Sequence, residues 1–555
     1  MLSSSTCVSA SSIVSTSTSS LGSPSPQYNL STSRLLVIHI GAALTLFLAT
    51  TDATIVSTSL PTIASDLRAS SNQYTWVGVA YMLTQTAFQP LYGRVSDLVG
   101  RKIVLYASIA IFGLGSVLCG AAQSIKWLIA ARALAGIGGG GIVSAVWVIT
   151  AEIVEVRQRA TWSQALSITW SCSAVAGPLI GGLFSGRDGT STGWRWGFYI
   201  NIPVCAVSFV VLVLALRGIE LKRSSNASWR SFLQKFDFLG LFLFMTGTSC
   251  IIIGFSFANE NGWSSPSTLS LIVVGVCILV AGGVYESYTT KDCLFPPTAF
   301  RDLTAGTILI ITFLHNFAFN AGTFYLALFY QAANGSTPLE SGLKILPYSL
   351  GSSLASLPVA WFIGYRQHQT NDTSGQNWAI SIGLLISTLG FGLLNLLNEV
   401  SNVAAQIVYP LIAGIGLGML FHAPHQVFTR ALKPQEIATG TSAFFLVRFT
   451  GATVGLAVAG AIFYAQARLP DLTFHHSASS IDYSKIRLLP PARKEEVLRI
   501  ISSSIRLIWT VCAPCLGVSF LISFALRALP SFDSAELTKT HTTSTTQSSA
   551  EDEKI

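Results

Sequence analysis

Charge is scarce in this sequence. Of 555 residues only 10% are Asp, Glu, Lys or Arg, where an ordinary soluble domain carries about 25%. A soluble fold of this length would need several cores and a polar surface over each, and 33 basic plus 25 acidic side chains cannot supply it. Soluble enzymes, secreted disulfide scaffolds and disordered hubs are excluded together. No Walker loop occurs, which removes ATP as a direct energy source. Of the nine cysteines, Cys119, Cys172, Cys205, Cys250 and Cys277 lie in long apolar runs, where a thiol behaves as a small hydrophobe. Cys512 and Cys515 form a C-x-x-C within the apolar run 505–524, the wrong setting for a redox or metal motif. His422 and His425 form an H-x-x-H without an evident third ligand, so no metal is expected. Gly136, Gly138 and Gly141 satisfy G-x-G-x-x-G but follow no strand, and they read as close helix packing rather than a dinucleotide site.

What is abundant is apolar sequence: 50% of residues are hydrophobic, with 46 Gly, 32 Phe and 12 Trp, a mixture that suits packed membrane helices with interfacial aromatics. The net charge of +8 sits in short clusters between apolar segments, as topology signals do, and no nucleic-acid partner is expected. A lipid core about 30 Å thick needs about 20 residues per helix. By that measure fourteen spans follow one another: 35–59, 74–93, 103–122, 126–150, 163–185, 197–216, 238–257, 268–288, 305–331, 342–364, 378–397, 403–427, 437–465 and 505–527. The second contains Gln85 and Gln89, and the tenth is interrupted by Ser and Pro.

Residues 1–33 are dominated by Ser and Thr and lack a seven-residue apolar run, which predicts a disordered cytoplasmic tail rather than a signal peptide. Residues 528–555 are predicted to be a second polar tail. Lys and Arg crowd the loops on the N-terminal side, among them Arg94, Arg101, Lys102, Lys222 and Arg223, which places both termini in the cytoplasm. The sequons at Asn29, Asn226 and Asn371 then face the cytoplasm. Asn334, in Asn-Gly-Ser, is the external glycosylation candidate, although its loop is short.

An ionised side chain at mid-membrane costs roughly 2.5 to 3.5 kcal/mol on insertion scales, so a charge inside a span is a functional hypothesis. Asp52 on span one and Arg132 on span four lie about 12 Å and about 9 Å from the outer ends of their spans at 1.5 Å per residue. The two are expected to face each other or share a cavity, so that protonating Asp52 would release or re-form an ion pair; a static structural pair is the alternative. Arg448 lies near the middle of span thirteen and must face a cavity, a carbonyl cluster or an anionic ligand. On span nine, Phe313, Phe317, Asn320 and Phe324 share a helical face, with His315, Asn316 and Tyr325 nearby. That aromatic surface with sparse polar groups suits a large amphipathic ligand, and helix packing explains its aromatics almost as well.

Between spans two and three runs Gly93-Arg94-Val95-Ser96-Asp97-Leu98-Val99-Gly100-Arg101-Lys102. Its glycines permit a tight turn, and Asp97 with Arg94 and Arg101 can form charge-assisted bonds that hold or release a gate. This loop resembles the signature loop of the major facilitator superfamily. Thr51-Asp52-Ala53-Thr54-Ile55-Val56 is similar to the first-helix motif of that family's fourteen-helix drug:proton antiporter branch. Gly177-Pro178-Leu179-Ile180-Gly181-Gly182 resembles its antiporter motif, and Trp194 through Pro203 resembles its entry into helix six. The likeness spans nearly all of 34–527 and is strongest to fungal exporters of drugs or self-made toxic metabolites.

The resemblance implies an all-α integral membrane protein of fourteen transmembrane helices. Residues 34–217 would form one six-helix bundle and 291–527 a second, with a linker and two inserted helices at 218–290, the bundles rocking about a midplane site. It further implies a proton-coupled antiporter and not an enzyme. Asp52 would take the proton, Arg132 would be its partner, Asp97 with Arg94 and Arg101 would gate, and the Gly177–Pro178 bend would limit leak. No cofactor is expected beyond the proton gradient. The partners would be a small organic substrate, protons and the bilayer, with the chain a monomer in the plasma membrane or, alternatively, a vacuolar or vesicle membrane. A symporter importing a chelated metal or nutrient and a non-transporting sensor remain rival readings.

Overall fold

The computed structural model describes residues 31–529, apart from 155–158, 187–192, 220, 222–229, 231–233, 235, 290, 292–293, 296–298, 300, 371, 434–435, 468–472, 475–476 and 482–489. The two tails and the sequons at Asn29, Asn226 and Asn371 lie outside the described residues almost entirely.

Among the described residues, fourteen helices of 15 residues or more follow one another: α1 (Thr32–Asp66), α2 (Ser71–Val99), α3 (Arg101–Gly120), α4 (Ile125–Ile153), α5 (Arg159–Gly186), α6 (Asn201–Ala215), α7 (Phe238–Asn261), α8 (Pro266–Tyr288), α9 (Leu303–Leu328), α10 (Leu346–Thr370), α11 (Ser374–Leu394), α12 (Val403–Met419), α13 (Ile437–Gln466) and α14 (Pro491–Ser523). Shorter helical pieces at Pro338–Lys344 and Ala423–Ala431 flank α10 and α12. Side-chain caps start many of them. Ser70 and Gln73 form a reciprocal capping box at α2, Thr337 and Glu340 form one at Pro338–Lys344, and Ser124, Asp302 and Asn402 each accept a first-turn N–H.

Among the described residues, twelve helical segments are long and apolar enough to cross a membrane. The count of fourteen expected from sequence differs by α2 and α10, which are 29 and 25 residues long but lack a sufficiently apolar window. The polar groups responsible are buried against neighbours: Gln85 and Gln89 on α2, and Ser349 and Ser352 on α10. Two boundaries also move. The helix α1 continues through Pro61 to Asp66, and α14 begins at Pro491 rather than at residue 505. Pro491 is well suited to the first helical turn, and Val497, Ile501, Ile505 and Ile508 bury one stripe at helical spacing through a stretch whose other face is charged. A short antiparallel ribbon, Thr473–Phe474 with Ser477–Ile481, lies in the connection before it.

Helices α1 to α6 pack on one another, as do α9 to α14, and the hairpin α7–α8 leans on α2 and α13. Apolar residues on the outward faces, such as Val273, Val280 and Val284 of α8 and Val207 and Leu214 of α6, are exposed, which is the expected arrangement when lipid is the solvent. The two groups meet along α2–α13, α1–α9 and α5 against Pro338–Lys344. The predicted glycine packing is present: Gly136 lies against the Tyr81 carbonyl and Gly138 against the backbone at Phe112, where a Cβ could not be placed.

Candidate functional site

Asp52 and Arg132 are among the most deeply buried charged groups, at 1% and 0% exposure. The structure brings them together. An Arg132 Nη1–Asp52 Oδ2 ion pair links α4 to α1, and Arg132 Nη2 also donates to the Asp52 carbonyl at 3.3 Å. Two residues that sequence reasoning missed complete the cluster. Asn201, at the start of α6, donates through Nδ2 to Asp52 Oδ1 at 3.0 Å and to Ser116 Oγ at 3.2 Å. Tyr81 of α2 lies beneath the guanidinium, 4.4 Å from its Cζ, and donates its hydroxyl to the Ala49 carbonyl at 2.7 Å. Arg132 Nε donates to the Val77 carbonyl at 3.2 Å, so four helices are tied to one ion pair. Asn201 lay within a motif already singled out, Trp194 to Pro203, but an amide carries no charge to draw the eye.

At the turn between α2 and α3, Gly100 adopts φ +110°, a conformation that disfavours other residues, and serves as the boundary of both helices. Arg101 follows. Its Nε donates to Glu152 Oε1 of α4 at 2.8 Å and its Nη1 to Ser96 Oγ at 3.0 Å, while Lys102 Nζ donates to the Leu216 carbonyl at 2.6 Å. Gly93 faces α13, where a Cβ would stand 3.1 Å from Ser442 Oγ. The side chains of Arg94 and Asp97, the other members of the expected gate, lie outside the described residues. Glu152 was not singled out from sequence because it closes an apolar run where a lone acid looks like an ordinary helix end.

The antiporter-like run on α5 is packed without spare room. A Cβ at Gly177 would collide with Thr54, and one at Gly181 with the Ile55 carbonyl. One at Gly182 would lie 2.5 Å from the Pro338 carbonyl, across the two halves. Thr58 Oγ1 donates to the Pro178 carbonyl at 2.8 Å, and Gln331 Nε2, in the π-helical turn Phe329–Ala333 that follows α9, donates to the Thr58 carbonyl at 3.1 Å, so α1, α5 and this turn interlock at the Leu60 end.

The residues proposed for the substrate cavity divide into two places. His315 and Arg448 share the Phe421 ring, 5.8 Å and 5.6 Å away, and His315 Nε2 lies 3.1 Å from the Leu417 carbonyl. Asn316 and Asn320 donate to carbonyls one turn back on α9. Phe317 packs its backbone on Gly455, whereas Phe324 belongs to a small apolar cavity with Leu60, Tyr74, Tyr325, Leu328 and Leu456 near the Leu60 end. Trp170 of α5, unnoticed in the sequence, covers Arg448 at 4.3 Å. Asn334 Oδ1 accepts from Lys344 Nζ at 2.5 Å, with Ser336 Oγ bound to the same ammonium at 2.9 Å. Among the described residues no cluster of His, Cys, Asp and Glu could hold a metal ion.

The family description Major Facilitator Superfamily matches residues 42–292. An uncharacterised transporter of Schizosaccharomyces pombe is 33% identical over 497 residues, covering 89% of this chain and 82% of that one. The efflux pump dotC of Dothistroma septosporum is 32% identical over 442 residues, 80% of this chain and 73% of the other. Among solved structures, a bacterial homologue of the human lysosomal transporter Spinster, in an inward-facing and occupied conformation, shares the fold with a TM-score of 0.58 at 15% identity, covering 90% of this chain and 97% of that one. On these grounds, together with its buried ion pair and two packed helix groups, the chain belongs to the Major Facilitator Superfamily of membrane transporters.

Proposed function

We propose that this protein is a proton-coupled antiporter that exports amphipathic organic compounds. The direction of transport draws support from relatives named as efflux pumps, dotC among them. The coupling rests on one observation: Asp52, buried inside the helix bundle, neutralises Arg132 and links α1, α4 and α6 through its two oxygens. Proton binding at Asp52 removes the ionic attraction across that link. Arg132 keeps its bonds to the Val77 and Asp52 carbonyls and the face of Tyr81, so it need not leave its place when the pair is discharged. The consequence is a looser α1–α4 contact in the protonated state and a tighter one in the ionised state, which is what alternation driven by a proton gradient requires.

In this reading the chain crosses the membrane fourteen times, α2 and α10 included, with both termini in the cytoplasm. It works as a monomer in the plasma membrane, a vacuolar membrane being the alternative. Its only energy source is the proton gradient.

The deciding experiment is export of a fluorescent lipophilic compound from proteoliposomes under an imposed pH gradient, wild type against Asp52→Asn. Gradient-driven export by the wild type that the substitution abolishes is the expected result. Full-rate export by Asp52→Asn would overturn the assignment of the proton to Asp52.

A further inference from the structure

Arg448 has what an arginine inside a membrane protein ordinarily avoids. It is 7% exposed, and among the described residues no carboxylate, hydroxyl or carbonyl oxygen bonds to its guanidinium. Its contacts are aromatic faces: Trp170 at 4.3 Å and Phe421 at 5.6 Å. Such faces attract the charge but accept none of the five N–H donors of a group that does not deprotonate. The contrast with Arg132 is direct, since that arginine is bonded to a carboxylate and two carbonyls.

The surroundings have a definite shape. Trp170 belongs to α5 and Arg448 to α13, so the contact bridges the two halves of the transporter. Phe445, three residues before Arg448 on α13, and Phe449, the residue after it, lie nearly parallel to the Trp170 ring at 4° and 23°, with centroids 6.4 Å and 6.3 Å away. These separations lie in the ordinary range for contacting aromatic rings, so the seam is lined by packed, flat aromatic faces. Trp147 of α4 lies 5.7 Å from Phe445, and its buried indole Nε1–H has no hydrogen-bond partner. The seam therefore presents flat apolar walls and unmet donors, with a fixed positive charge over the Trp170 face.

We infer that this seam binds a planar aromatic anion, a carboxylate or an ionised phenol, as the recognised part of the exported compound. Oxygen acceptors are what Arg448 and the Trp147 N–H lack, negative charge is what a permanent buried cation lacks, and a flat ring is what aromatic faces favour as a packing partner. A phosphate or other strongly hydrated anion fits poorly, because the walls offer nothing in exchange for its water. The inference names the substrate class of the export reading and rests on it.

The test uses the full-length protein in detergent and three probes of one shape: 1-naphthoate, 1-naphthalenemethanol and 1-naphthylmethylamine. Equilibrium binding is measured first, and pH-gradient-driven transport in proteoliposomes second. The expected result is naphthoate binding about tenfold tighter than the alcohol, the increment a charged hydrogen bond supplies, with the ammonium weakest. Arg448→Gln should lower naphthoate affinity by about tenfold and so remove its advantage over the alcohol, with thermal unfolding of the variant in detergent reporting an intact fold. Arg448→Lys keeps charge without the planar fork and should fall between, and it serves where the glutamine variant does not fold. A wild type that binds naphthoate no tighter than the alcohol, or an Arg448→Gln protein that retains the preference, overturns the inference. Arg448-dependent naphthoate binding without transport of any probe upholds the ligand class and overturns export. Transport of the alcohol and ammonium without naphthoate does the reverse.

Discussion

Asn201 donates to Asp52 Oδ1 while Arg132 holds Oδ2, so the two oxygens of one buried carboxylate are divided between a neutral donor and a charged one. Removing the charged donor leaves an uncompensated anion that the amide alone cannot satisfy. Arg132→Met is expected to destabilise the protein by about 3 to 5 kcal/mol, the usual cost of breaking a buried pair from one side. Combining it with Asp52→Leu should recover most of that loss, because apolar side chains of similar volume remove both desolvation costs. Thermal unfolding in detergent checks the stability of the single and double variants. Recovered stability with no recovery of gradient-driven transport would separate the structural role of the pair from the proposed coupling; a double variant as unstable as the single would mean that the pair is not the unit.

The contrast between Asp52 and Asn201 also shows what a sequence exposes. A charge inside an apolar run costs too much to be incidental, so Asp52, Arg132 and Arg448 were legible at once, and helix geometry even put the first two at similar depth. Asn201, Trp170 and Trp147 carry no such signal: an amide or an indole in an apolar run is ordinary, and only tertiary packing shows what each one touches. The fold was legible because span length is set by bilayer thickness. Its exceptions have local causes. Polar residues that face other helices lower the hydropathy of α2 and α10 without ending either helix, and α14 begins early because an amphipathic stretch beginning at Pro491 is helical before it is apolar.

The sequon at Asn334 is folded into the turn between α9 and Pro338–Lys344. Its side-chain oxygen accepts from Lys344, the same ammonium binds Ser336 Oγ, and Ser336 is buried with its N–H bonded to the Tyr330 carbonyl. An oligosaccharyltransferase needs that segment extended and accessible. Asn334 is therefore expected to stay unmodified in a eukaryotic host. Digestion with an N-glycosidase should leave the electrophoretic mobility of the wild type and of Asn334→Gln identical, and a shift confined to the wild type would contradict the expectation.

Arg101 ties the ends of three helices, but Ser96, Glu152 and Arg101 itself all lie in the α1–α6 half. The bond to Glu152 therefore stiffens one half rather than bridging to the other. Glu152→Ala is expected to lower the unfolding temperature, at a cost of about 1 kcal/mol once partial exposure is discounted. The half-saturation concentration for transport should not move. A large change in that concentration with unchanged stability would show that this end of α4 takes part in substrate handling.

Closure at the Leu60 end depends on glycine. A Cβ at Gly182 would lie 2.5 Å from the Pro338 carbonyl, and one at Gly342 would lie 2.8 Å from the Pro178 carbonyl, so each half presents a bare backbone to a carbonyl of the other. An added methyl cannot be absorbed by a flexible side chain, because both obstacles are main chain. It must separate α5 from Pro338–Lys344 and weaken the Gln331–Thr58 bond beside them. If the proposed transport cycle separates these two backbones in its opposite conformation, Gly182→Ala raises the free energy of the closed state alone and shifts the population toward the other. A shift of about 1.4 kcal/mol changes that population ratio about tenfold. The readout is maleimide labelling of Ser59→Cys, a buried position on α1 near the interlock, in a protein whose native cysteines are replaced. Gly182→Ala should speed labelling by about that factor and slow transport, since a state that is harder to reach limits the cycle. Unchanged labelling would mean that the two backbones already separate in the resting protein, and the interlock would then play no part in holding this end shut.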